Sequence, residues 1–530
     1  MPRTWRTLFS AQPELEVADL STVDLSDEKT NRAVVRKQDL HLLPWMCTTY
    51  LLNYLNRVSL GNARTLNDDS TEDNILQQLD LTGQRYSVAI AVFFVPYVIM
   101  EFPGNILMKH FSPSRWISRI VTSVGFVTIC TASATTYERL LVARFFLGMA
   151  EAGFSSGVMM HLCFWYKPEE RASRMAIFAS SVALACAFGG LLASGISFLN
   201  GVAGLAGWQW LFILEGAPGM LVGIMVWFLL PDYPQTARWL TPYERAFAIK
   251  RLGPYAPTMH DDCWNWKTVK QTVLDPVFWL FAIQYFLMTN SLNAFGYFTP
   301  TIISSMGFAG HSGQLLTVPP NIFALVVIVA NCLHSDRTKE RSVHIIGALV
   351  FVATGYLVLA LVPNWGVRYA AVFVIACTNA AVLPFIAHRT ATVTGSMATA
   401  VATGGMVAIS NCAGISAPFL FPGRTAPMFS MGNWTIFVFL MISVLTSVYA
   451  WYVFGNHSGY RAEGDGAVKL ERSPSLSPCG EVEKVGECVD VESASTAPSA
   501  SGSENTSVVK TISMMGIETS DAVEVKVRHV

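Results

Sequence analysis

Runs of about 18 or more predominantly apolar residues, each long enough to cross a bilayer core as a helix, recur along most of this 530-residue chain. They lie at roughly 42–61, 85–108, 116–135, 141–166, 175–198, 208–230, 277–304, 314–334, 342–362, 367–387, 395–420 and 432–455. Short polar loops separate them, except for a polar interval over 231–275 that divides the first six from the last six. Hydrophobic residues make up 52% of the chain, charged residues 14%, and the mean hydropathy is +0.40. Soluble domains carry about 25% charge. The expected fold is an all-α polytopic membrane protein of twelve transmembrane helices in two six-helix halves.

The expected layout is an arm over 1–40, an N-terminal half over 41–230, a central loop over 231–275, a C-terminal half over 276–455 and a tail over 456–530. The arm mixes acidic and basic residues and the tail is rich in Ser, Gly, Glu and Val, so both are expected to be disordered. Within the central loop, LTPYERAFAIKRL predicts a short amphipathic helix with Thr241 and Glu244 as a capping box and Pro242 in its first turn. Arginines and lysines set the orientation. Lys109, Arg115, Arg119, Lys167, Arg171, Arg174, Arg337, Lys339 and Arg341 fall on one side, and the opposite loops hold few, which places both termini in the cytosol. The plasma membrane is the default location, the first 40 residues hold no cleavable signal, and a monomer is expected.

Several classes are excluded or disfavoured. A net charge of −1 and a pI near 6.8 supply no basic surface for nucleic acid. The ten cysteines are scattered without a CxxC or zinc spacing, so neither a metal nor a cofactor is expected. No HExxH, phosphate loop or nucleophile elbow appears, so an enzyme is not expected.

The chemistry lies in polar residues placed inside the apolar runs. Arg144 and Glu151, seven residues apart, share a helix face within about 20° and sit about 10 Å apart along the axis. Each such charge costs at least roughly 3 kcal/mol in hydrocarbon, so both should face a bundle interior or a wet cavity. A substrate path is one reading, and a bracing ion pair is the other. Asn53, Asn56 and Arg57 share a face of the first run. Arg57 is placed either to hold a carboxylate with two parallel hydrogen bonds or to snorkel to the far interface. Tyr97, Glu101 and Asn105 line the second run, and Glu215 lies in the sixth. Glu151, Glu101 and Glu215 are the candidate proton carriers, although the latter two also suit caps or backbone contacts. In the second half, Gln284, Asn290, Asn293, Tyr297, Asn321, Asn379 and Asn411 offer neutral groups that orient an organic ligand or glue helices together. Asn433 in NWT forms a glycosylation sequon.

The motifs YLNRVSLGNA, FFVPYVIMEFPGN, ARFFLGMAEAGF, GGLAGWQWLFILEG, LPDYPQTARWLTPYERA, LDPVFWL, FTPTII and QLLTVPP span roughly residues 32–455. On them the chain resembles the major facilitator superfamily, and within it the allantoate permease branch of the anion:cation symporters. The resemblance implies two pseudo-symmetric halves and transport of a small organic anion, often with protons. It also implies an anion and proton site at Asn56, Arg57, Arg144 and Glu151, with Asn56 where relatives often carry a carboxylate. Ala398 and Thr399 stand where relatives commonly carry a basic pair. SDRTKER resembles the superfamily's gating motif, which assigns gating to Asp336, Arg337 and Arg341. The expected partners are therefore a small organic anion, protons and the lipid bilayer. The competing readings are an exporter of a secondary metabolite on the same scaffold and a transport-dead nutrient sensor.

Overall fold

The computed structural model describes residues 15–66, 73–110, 112–252, 266–308, 310–338, 340–393 and 396–455. The chain divides into two units, 1–461 and 462–530, and the second lies outside the described residues. Helices occupy each of the apolar runs read from the sequence, because hydrocarbon offers no partner for backbone polar groups and a helix satisfies them within itself. Seven stretches among the described residues are long and apolar enough to cross a membrane: 83–101, 173–199, 207–229, 310–335, 342–361, 365–389 and 430–453.

The N-terminal half comprises α1 (Glu28–Arg64), α2 (Ile75–Gln78), α3 (Gly83–His110), α4 (Pro113–Thr131), α5 (Tyr137–Glu151), α6 (Phe154–Cys163), α7 (Pro168–Ile196) and α8 (Gly207–Leu229). Helices α9 (Pro242–Leu252) and α10 (Trp266–Leu274) lie in the connecting segment. The C-terminal half comprises α11 (Pro276–Ser304), α12 (Gly310–Leu315), α13 (Val318–Thr338), α14 (Ser342–Leu361), α15 (Trp365–Ala376), α16 (Asn379–Thr392), α17 (Ser396–Asn411), α18 (Ala413–Leu420) and α19 (Ser430–Gly455).

Two differences from the sequence reading have clear causes. The fourth apolar run is one helix by hydropathy but two in the fold, because Gly153 takes φ +80, a left-handed conformation that suits a residue without Cβ. The expected disordered arm ends much earlier than residue 40. Asp27 caps α1 by accepting from the Lys29 and Thr30 amides, and residues 15–27 lie along the connecting segment. Val23 and Val34 are buried there, Lys250 donates to the Val23 carbonyl at 2.7 Å, and Arg245 donates to the Glu16 carbonyl at 2.8 Å. The capping box of α9 forms as read, with the Thr241 amide donating to Glu244 at 2.9 Å and the Glu244 amide to Thr241 Oγ1 at 3.3 Å. Lys37 then joins α1 to α9 through Glu244 at 2.6 Å.

Lipid is as apolar as leucine, so helices in a membrane associate through close packing rather than through hydrophobic burial. The tight packing of α4 on α8 shows this: a Cβ on Gly125 would meet the Met220 amide nitrogen at 2.4 Å, and one on Gly223 would meet the Thr122 amide nitrogen at 2.6 Å. Ser118 closes the contact by donating to the Gly223 carbonyl at 2.6 Å. Phe126, Leu221, Phe228, Val326 and Leu445 meanwhile point outward, as an apolar belt should.

Hydrogen bonds between the halves gather at the end of the bundle where α1 finishes. Gln314 donates to the Asn62 carbonyl at 3.0 Å and to Thr65 Oγ1 at 2.8 Å. Ser194 meets His311 Nδ1 at 2.6 Å, and Ser87 donates to the Pro418 carbonyl at 2.9 Å. The packing of α1 on α11, α3 on α18 and α7 on α13 brings the halves together.

Candidate functional site

Arg57 and Glu151 come from different helices, and the structure brings them together. Arg57 donates from both Nε and Nη2 to Glu151 Oε1, at 3.0 and 2.5 Å. The two side chains are only 11% and 2% exposed, so the snorkelling alternative for Arg57 fails. Four rings surround the guanidinium: Tyr97 at 4.9 Å, Phe93 at 5.5 Å, Tyr54 at 5.8 Å and Phe94 at 6.0 Å from Cζ. Negative ring faces offset part of the hydration lost by a buried cation. Apart from Tyr97, these rings were passed over in the sequence, although Tyr54 precedes Arg57 by one helical turn and Phe93 precedes Tyr97 by four residues.

The bracing pair considered between Arg144 and Glu151 is absent from the ion pairs of the described residues, because two helical turns hold their backbones about 10 Å apart. Arg144 is 2% exposed, lies over the Phe212 ring at 5.9 Å, and donates from Nη1 to the Arg57 carbonyl at 3.5 Å. Its Nε and Nη2 have no partner, nor does Glu151 Oε2. Asn53, Asn56 and Glu215 are each 1% exposed, and every side-chain polar atom of the three is also without a partner. A buried polar group without a hydrogen bond costs roughly 1–3 kcal/mol in proteins, so this set is suited to waters, protons or a polar ligand rather than to dry packing.

Glu101 has a different setting. Its Oε2 accepts from the Gly153 amide at 3.2 Å and its Oε1 from Ser156 Oγ at 2.9 Å. It caps the free N-terminus that the break at Gly153 creates, a position that favours negative charge. These are the contacts of the capping alternative.

In the second half, Tyr297 on α11 meets Phe94, one of the rings around Arg57, edge-on at 6.3 Å. Asn293 is 7% exposed with its Nδ2 unpartnered. Asn290 serves packing: it donates to the Phe286 carbonyl and accepts from Ser416 Oγ at 2.7 Å, which ties α11 to α18. Gln284 likewise donates to Ser447 on α19 at 2.5 Å.

At the other end of the C-terminal half, Arg341 Nη1 donates to the Ala387 carbonyl of α16 at 2.7 Å, and Arg337 is exposed in the last turn of α13. The side chains of Asp336, Ala398 and Thr399 are not among those described. Asn433 of the sequon is 1% exposed inside α19 and donates to the Met428 carbonyl at 3.0 Å. A separate cleft of about 790 Å³ opens between α4 and α5, lined by Phe126, Val142 and Phe146 together with Arg119, Glu138 and Arg139.

The profile of the Major Facilitator Superfamily matches residues 46–418. The chain belongs to the Major Facilitator Superfamily. It is 37% identical over 356 residues to MFS transporter prlL of Fungal sp. (strain NRRL 50135), covering 67% of this chain and 72% of that one. It is 32% identical over 327 residues to a putative tartrate transporter of Agrobacterium vitis, covering 61% and 69%. Among solved structures it is similar to a bacterial homolog of the human lysosomal transporter Spinster in an inward-facing, unoccupied conformation. The TM-score is 0.59 at 15% identity, covering 81% of this chain and 99% of that one. The protein is thus a multi-pass membrane protein with the all-helical major facilitator fold, and its named relatives are transporters.

Proposed function

We propose that this superfamily member is a proton-coupled secondary transporter of a small organic anion, of the allantoate permease branch, working at the plasma membrane as a monomer with both termini in the cytosol. The observation that carries the reading is the use of Glu151 as an internal carboxylate ligand of Arg57. A substrate carboxylate offers the same two-donor geometry, so substrate and Glu151 compete for one guanidinium. A proton on Glu151 removes its charge and frees Arg57, while Arg144, with Nε and Nη2 unpartnered, supplies a second cationic edge. Proton and anion then enter together, and each leaves when the other does. Tyr297, Asn293 and Asn53 orient the rest of the ligand. With cytosolic termini, the hydrogen bonds that join the halves near Asn62 and His311 close the outer side, and the site opens inward by rocking of the halves. The similarity to a relative named a putative tartrate transporter accords with an anionic substrate.

The test is uptake of labelled tartrate, nicotinate and allantoate into vesicles holding the full-length protein under an imposed pH gradient, with downhill exchange as control. Wild type accumulates one of them. Glu151→Gln fixes the neutral form, loses gradient-driven accumulation and retains exchange. Accumulation of a monoanion, nicotinate or allantoate, by Glu151→Gln that still follows the gradient overturns the coupling scheme.

A further inference from the structure

The Arg57–Glu151 pair leaves a second set of charged and polar groups unaccounted for. Glu215 faces the junction of α1, α5 and α8, and its position is fixed from both sides along its own helix. One turn before it, the Phe212 ring lies 5.9 Å from the Arg144 guanidinium. One turn after it, a Cβ on Gly219 would stand 3.3 Å from Asn56 Nδ2. Glu215 therefore lies between Arg144 and Asn56, and its carboxyl and the Arg144 guanidinium interact electrostatically. Neither Glu215 oxygen has a hydrogen-bond partner, and the same holds for Arg144 Nε and Nη2 and for the amides of Asn53 and Asn56. Eight buried polar atoms on four residues of α1, α5 and α8 thus lack a hydrogen-bond partner.

A structural ion pair would close the contact between Arg144 and Glu215, since an unmade charge-assisted hydrogen bond in a low-dielectric interior is expensive. A purely structural carboxyl would find a cap or a backbone amide, as Glu101 does. Glu215 does neither. The charged and titratable groups around it are few: Arg144 on α5, with Glu151 at the end of the same helix and Arg57 on α1 beyond, and Tyr86 of α3 and Tyr297 of α11 interacting with Arg144. The α4 face packed on α8 contributes Val121, Val124, Gly125 and Thr128, none of them titratable.

We infer that Glu215 is a second proton-binding site of the transport cycle, exchanging its proton as Arg144 turns from it to the substrate anion. The inference rests on the anion-transport reading above. It assigns the job that Asn56 cannot do to a carboxyl on a different helix of the same cluster. Charge bookkeeping follows directly: Arg57 and Arg144 balance Glu151 and Glu215 when the site holds no anion. Each negative charge brought in by substrate is then matched by one proton, on Glu151 for the first and on Glu215 for the second. In this scheme waters held by Asn53 and Asn56 connect Glu215 to the Arg57–Glu151 site.

The experiment reads the proton and needs no substrate. Full-length protein in phospholipid vesicles is titrated from about pH 4 to about pH 9 while infrared difference spectra record the carbonyl stretch of protonated carboxyls. Wild type shows titrating bands of buried carboxyls; E215Q removes one of them and E151Q another. R144Q displaces the pH at which the Glu215 band disappears and leaves a band assigned to Glu151. E215D keeps a titrating band at a shifted position, which secures the result if E215Q does not remain monodisperse. An E215Q spectrum identical to wild type, or a Glu215 band that never titrates in this range, overturns the inference. Either result leaves the Glu151 coupling test standing, because that test reads uptake.

Discussion

Arg57 is held by shape as much as by charge. Its guanidinium places two donors on one carboxylate oxygen while four aromatic rings lie within 6.0 Å of its Cζ. An ammonium at that position keeps the charge but loses the fork. Arg57→Lys is therefore expected to fold and reach the membrane with transport lowered at least about tenfold, because a single point charge cannot reproduce two parallel bonds. Uptake of the carboxylate that wild type accumulates, compared at equal membrane abundance, checks this. Wild-type uptake by the lysine variant would show that the fork is not used. Glu101 and Glu215 illustrate the opposite outcome at this scale: two intramembrane glutamates alike in sequence context take different settings, one capping α6 and one facing Arg144.

Among the elements, close contact between the halves depends on small residues at helix crossings. Gly190 on α7 meets α12 and the turn after it so closely that a Cβ would stand 2.0 Å from Thr317 Oγ1 and 2.9 Å from the Gln314 carbonyl. The hydroxyl can rotate away, but the carbonyl belongs to the backbone. Gly190→Ala is expected to wedge this end open and shift the population toward states in which the halves part there. Labelling of a cysteine placed at Thr65, beside the Gln314 contact, by a membrane-impermeant maleimide then speeds up relative to the same cysteine in the wild-type background. Equal labelling rates in the two backgrounds would show that the crossing absorbs the methyl without opening.

For the whole molecule, the long first helix and the segment before it knit the N-terminal half to α9, so residues 15–252 hang together through Lys37, Lys250 and Arg245. Arg251 adds a pairing with Glu170 and a 3.0 Å hydrogen bond to Asn31. In the orientation proposed from the arginine and lysine asymmetry, this face is cytosolic. A tag fused after Val530 is expected to resist protease added to intact cells and to be cut once they are permeabilised. Cleavage in intact cells would invert the orientation. The same preparation checks the burial of Asn433: N433Q is expected to leave electrophoretic mobility unchanged, and a faster-running variant would show that the sequon carries sugar.

Fold class was legible from residue order because it depends on local quantities. The length and hydropathy of each run decide whether backbone can rest in hydrocarbon, and the polar interval at 231–275 marks where six runs end and six begin. The α9 capping box was legible for the same reason, since its partners are three residues apart. Candidate residues of the site were also legible, because a charge inside an apolar run is costly and therefore placed with a purpose. Their partners were not. Helical periodicity put Arg144 and Glu151 on one face, yet the carboxylate belongs to Arg57, 94 residues away, because contact across helices is set by packing and not by spacing along one. The break at Gly153, the capping by Glu101 that follows from it, and the placing of Glu215 beside Arg144 were decided in the same way, by which helices the glycine-lined crossings allow to meet.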